Sequence, residues 1–119
     1  MSELISKNVI VGGRTFLIQV LRFANGCFIA VTEGNEGRIG ALEVSIRARD
    51  GVDSSAIIPS MSSGIFPSIL GEMSSNQVNG LSVVSVHLNK DLISEAAKEI
   101  LAEVSEMLSE KIESDKTLD

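Results

Sequence analysis

The chain has 119 residues, 44% hydrophobic and only 3% aromatic, with a formal charge of −6. That length fits a single domain, 1–119, with one core. The carboxylate excess argues against a nucleic-acid ligand, because neutralising phosphates requires clustered Lys and Arg, and no run approaches the ~20 apolar residues of a membrane span.

The N-terminus lacks the charged and apolar pattern of a signal peptide. Cys27, the single cysteine, has no internal disulfide partner, and the expected setting is the cytoplasm. Mean hydropathy is +0.25. That is high for a soluble monomer, so a second subunit is expected to cover part of the apolar surface.

Lys7–Val11 reads as a strand, and Gly12-Gly13 as a tight hairpin that tolerates positive φ. Arg14–Phe23 is the second strand. Phe16, Ile18 and Val20 point to one side and Leu17, Leu21 and Phe23 to the other, interrupted by Gln19 and Arg22. A strand apolar on both sides is expected to be central and covered twice. Asn25-Gly26, a strong hairpin signal, leads into the third strand, Cys27–Glu33.

Gly34–Gly37 is a turn before a fourth strand, Arg38–Arg49. Leu42, Val44, Ile46 and Ala48 share one side of it, and Glu43, Ser45 and Arg47 the other. The polar side is expected to be the wet one. Asp50-Gly51 ends that strand. Val52–Gly64 is Ser-rich and predicts a loop, with at most a short edge strand over Ala56–Ile58 before Pro59.

Phe66–Ser75 reads as a short helix with Pro67 in its first turn. Gly71 weakens that helix by about 1 kcal/mol relative to Ala. Asn79-Gly80 is a turn, and Leu81–Leu88 the last strand. Asn89 is a candidate cap for a long helix over Lys90–Ile112. Leu92, Ala96, Ile100, Val104, Leu108 and Ile112 form its apolar stripe. Glu95, Glu99, Glu103 and Glu106 lie on its opposite face, and Ser114–Asp119 is expected to fray.

Residues with chemical potential are few. His87, the one histidine, lacks the companions that a metal site needs. Cys27 at the start of a strand, with no base beside it, reads as a small buried hydrophobe. The glycines at 34, 37 and 40 match no phosphate-binding fingerprint. The Glu stripe is a regular solvated face rather than a cleft with paired carboxylates. Neither catalysis nor a cofactor is expected. The acidic stripe (Glu99, Glu103, Glu106) and the Ser-rich loop (Ser60, Ser62, Ser63) are the candidate partner contacts.

The order of elements resembles the small proteasome assembly chaperones of the third and fourth types, the fourth most closely. The residues that carry the resemblance are Phe16–Gly34 (FLIQVLRFANGCFIAVTEG), RIGALEVSIRAR at 38–49, and IIPSMSSGIFPSILGEMSSNQVNGLSVVSVHL at 57–88. It implies a non-enzymatic protein whose relatives pair through their sheets and bind α subunits of the proteasome core particle during α-ring assembly. This chain departs from the eukaryotic members in its scarcity of aromatics and its very acidic last helix.

The expected fold is therefore α+β. An antiparallel sheet of five to six strands, ordered β-β-β-β-loop-α-β-α, carries the short helix and the long amphipathic C-terminal helix on one side. A homodimer is expected, with Ile18, Val20, Ile29 and Val31 as its interface. Two other classes remain open: a small dimeric scaffold or adaptor subunit of another complex, and a small-molecule-binding domain with a site between the short helix and the sheet.

Overall fold

The computed structural model describes residues 4–60 and 64–118, with side chains through residue 109. The elements are β1 (Leu4–Val11), β2 (Arg14–Phe23), β3 (Gly26–Glu33), β4 (Ala41–Ala48), β5 (Gly51–Ile58), α1 (Phe66–Val78), β6 (Leu81–His87) and α2 (Ser94–Leu118). They form an α+β fold with a six-stranded sheet in the order β1-β2-β3-β6-β4-β5. Every pairing is antiparallel except β3 with β6, which is parallel. That pair arises because α1 carries the chain across the sheet, letting β6 enter between the β1–β3 meander and the β4–β5 hairpin.

Both helices pack on one side of the sheet. The register aligns Phe16, Ile18 and Val20 of β2 with Ile29 and Val31 of β3 and Val84 and Val86 of β6 on that side. These seven join Leu70 of α1 and Ala96, Ile100, Val104 and Leu108 of α2 in one buried core. The spacing of four along α2 is thus the stripe the sequence predicts. Gly12 and Gly13 take φ of 57° and 78° at the first hairpin, the left-handed conformation that Gly adopts without a Cβ penalty.

Several boundaries and one orientation differ from the sequence reading. β4 begins at Ala41, because Arg38–Gly40 forms a loop instead. β5 is a full eight-residue edge strand, because Asp50 and Gly51 turn the chain into a hairpin rather than ending the sheet. α1 runs on to Val78, where Asn79 closes it in a left-handed conformation with φ 53°. Asn89 does not cap α2. The helix starts at Ser94 and continues to Leu118 through the stretch expected to fray, while the Asn89 amide donates to Glu33 Oε1 at 2.9 Å.

The orientation of β4 is reversed. Glu43 and Ser45, expected in water, are buried beneath α1, while Leu42 and Val44 are half-buried and Ile46 is exposed on the other side. Glu43 lies against the first turn of α1, a helix with no side-chain cap and no acidic residue of its own in that turn. Ser68 Oγ donates to Glu43 Oε1 at 3.0 Å, while Glu43 Oε2 is buried with no hydrogen-bond partner among the described residues.

Hydroxyls line the rest of the contact. Ser45 Oγ bonds Ser54 Oγ at 2.8 Å, and Ser74 Oγ bonds Ser82 Oγ at 2.5 Å.

Gly71 lets α1 sit close on this polar floor, since a Cβ there would stand 2.5 Å from Ser45 Oγ. Gly71→Ala therefore gains about 1 kcal/mol of helix propensity but forces Ser45 off its bond to Ser54. We expect a net loss of about 1–2 kcal/mol in urea unfolding. Adding Ser45→Ala should recover part of it. A Gly71→Ala chain more stable than the parent would refute this close-packing account.

Candidate functional site

Among the described residues, the side of the sheet away from the helices carries no layer of its own. Its cross-strand rows follow from the register. One row runs Leu4, Leu21, Phe28, Val83, Val44 across five strands. The row beside it runs Phe23, Gly26, Leu81, Ile46. Phe28 and Leu81 are each 36% exposed, Phe23 and Ile46 each 45%. The result is a continuous apolar band rather than scattered exposed side chains.

The loop between β3 and β4 folds over one end of this face. Thr32 Oγ1 accepts from the Arg38 amide at 3.1 Å, and the Gly40 amide donates to Ser85 Oγ at 3.0 Å. Thr32 and Ser85 are buried as a result. The apolar rows toward the Phe23 and Leu81 end remain uncovered.

A charged clamp lies at the sheet end where β6 leads into α2. Arg14 donates Nε to Glu33 Oε2 at 2.9 Å and Nη2 to Glu33 Oε1 at 2.6 Å. Its Nη1 and Nη2 also reach the carbonyls of Asp91 and Lys90, at 3.1 and 2.9 Å. The guanidinium lies 5.3 Å from the centroid of the Phe16 ring, and both side chains of the pair are mostly buried. The bond from Arg14 holds the Glu33 carboxyl below its ordinary pKa against the opposing effect of burial, and the Asn89 amide adds to it. The clamp fixes residues 89–91, and with them the start of α2.

Cys27 is buried with Sγ 3.6 Å from Ser82 Oγ, and burial raises its thiol pKa. It is an inert core residue, as the sequence suggests. His87 is half-buried at the end of β6.

The residues singled out for a partner are dispersed. Glu99 and Glu106 are exposed on α2, while Glu103 is held by Lys7 of β1 at 2.6 Å. Ser60 lies just after β5, and Ser62 and Ser63 fall outside the described residues. Ile18, Val20, Ile29 and Val31, the expected dimer interface, are each 0% exposed beneath the helices. They build the chain's own core and present no surface to a partner. On β2 and β3 it is Leu21 and Phe28 that occupy the open side, and the second apolar face of β2 with the apolar face of β4 was the sequence signal for that side.

No family model matches the chain, and no curated protein matches it in sequence. In structure it matches a chain from a chaperone complex for yeast 20S proteasome assembly. The TM-score is 0.59 at 16% identity, covering 98% of this chain and 96% of that chain. This chain has the fold of that chaperone subunit. The likeness spans nearly the whole length of both chains. Among the described residues no helix is long and apolar enough to cross a membrane.

Proposed function

We propose that the chain is a non-enzymatic assembly chaperone, working in the cytoplasm, that pairs with a second copy of itself through the open sheet face and assists formation of the proteasome α ring. The observation that carries this reading is the inverted polarity of β4. Its polar side is spent beneath α1 and its apolar side faces outward, in line with Leu21, Phe28 and Val83. A monomer gains nothing by that arrangement, whereas a pair stacked face to face buries it at about 25 cal/mol per Å² of apolar area. The fold shared with a proteasome assembly chaperone subunit supplies the class of client. Action is by reversible binding, with no turnover.

A pull-down from lysate of the source cell, read by mass spectrometry, tests the client. Recovery of proteasome α subunits with few mature β subunits is the expected result. An unrelated complex in their place would reassign the chain as a scaffold subunit.

The exposed carboxylates Glu99 and Glu106 are the steering groups toward a basic client surface. Glu99→Lys with Glu106→Lys is expected to slow association about tenfold at low salt and to flatten its salt dependence. Stopped-flow or surface-binding kinetics measure this, and unchanged rates would return the stripe to solvent.

A further inference from the structure

We infer that the groove between the beginnings of α1 and α2 is a second binding site, for an apolar protein segment that carries Lys or Arg. This inference rests on reading the chain as a partner-binding protein. It concerns the helix layer, on the far side of the sheet from the pairing face, so both surfaces can be occupied together.

The groove has a volume of about 360 Å³, and Ile65, Phe66, Ile69, Leu92 and Ala97 supply its apolar walls. Ile65 is 74% and Ile69 40% exposed. Two large aliphatic side chains of the wall thus stand in water, where an inserted side chain would cover them.

The two helices are fastened elsewhere. Gln77 Nε2 donates to the Ser105 carbonyl at 2.8 Å and to Ser109 Oγ at 3.0 Å, and Ser105 Oγ donates back to Gln77 Oε1 at 2.9 Å. That lacing closes the helix pair toward its other end and leaves the groove as the opening.

Charge selects the occupant. Asp91 lines the groove, and its carboxylate makes no hydrogen bond or ion pair among the described residues. Its backbone is nonetheless held by Arg14 at 3.1 Å, so the carboxylate projects from a fixed rim. Glu72 is exposed in the depression adjoining Ile69. An apolar cavity with the Asp91 carboxylate on its rim and Glu72 in the adjoining depression, on a chain of net charge −6, fits an apolar side chain with a cation next to it, and disfavours a phosphate-bearing or acidic partner.

The test is fluorescence anisotropy with a short labelled amphipathic peptide carrying Leu and Phe flanked by Arg, compared with a twin carrying Glu in place of Arg. We expect the Arg peptide to bind at least about tenfold more tightly than the twin. Ala97→Phe, which fills the groove, and Asp91→Lys, which reverses its rim, should each weaken the Arg peptide by about tenfold or more. Light scattering and thermal melting should remain those of the parent. Asp91 is exposed and its backbone contact survives substitution, so that variant decides the matter even if Ala97→Phe fails to fold. No saturable binding, equal binding of the twin, or indifference to Asp91→Lys overturns the inference. A chain that pairs but ignores the peptide loses only the groove, and one that binds the peptide as a monomer loses only the pairing.

Discussion

Val44→Asp together with Phe28→Asp is expected to turn a dimer into a folded monomer. Both side chains stand in the row that crosses the open face beside Val83. Neither contributes to the buried core, so a carboxylate at either position stays hydrated in the separated chain. In the pair it would be buried against apolar side chains without a partner, at a cost of several kcal/mol. The dissociation constant should rise by about a hundredfold or more. Analytical ultracentrifugation reads the mass, and circular dichroism confirms the fold.

The informative control is Ile29→Asp. Ile29 is adjacent to Phe28 but points to the other side, where it is fully buried. Burying that charge should cost about 5 kcal/mol or more and unfold the chain instead of dividing a pair. A parent that stays monomeric at micromolar concentration would reject pairing through this face.

Arg14→Ala is expected to be among the most damaging substitutions of a charged residue. The guanidinium holds Glu33 through two bonds and the carbonyls of Lys90 and Asp91 through two more. Removing it leaves a mostly buried carboxylate without its cation and releases the start of α2. A loss of about 3 kcal/mol follows, which lowers the melting temperature by about 10–15 °C in a domain of this size. Arg14→Lys should recover little, because an ammonium cannot reproduce the fork.

The same pair sets part of the acid limit. Glu33 has a lower pKa folded than unfolded. Its contribution is therefore complete above the unfolded value of about 4.3 and is lost as the pH falls through the native value. Glu33→Gln should be less stable at neutral pH and lose less on acidification over that window. Parallel melting curves for parent and variant across the window measure this. Equal acid sensitivity would place the linkage on other carboxylates.

The strand pairs and the long helix were legible in the chain because local chemistry decides them. Gly12-Gly13 and Asn25-Gly26 set the first two hairpins. The alternation of Phe16, Ile18 and Val20 defined a buried side, and the four-residue spacing of Ala96, Ile100, Val104 and Leu108 defined the helix stripe. Cys27 as a core residue was equally plain. β5 was legible only over Ala56–Ile58, because Asp and Ser in Val52–Ser55 have weak strand preference, and pairing with β4 overrides it.

Which side of each strand is sealed and which is left open was a different kind of question. Alternation says that two sides exist and not which one the helices cover. β2 is apolar on both, so Ile18 and Leu21 were indistinguishable as interface candidates until α2 took the Ile18 side. For β4 the usual rule pointed the wrong way, because α1 packs on its polar side: Gly71 lets the helix approach Ser45, and Ser68 bonds Glu43. Leu42, Val44 and Ile46 are left on the other side. The sequence by itself determined most of the elements, their amphipathic patterns and the scarcity of chemistry. Only the tertiary structure decided which apolar surface is core and which is left uncovered, since that depends on where helices distant in sequence come to rest.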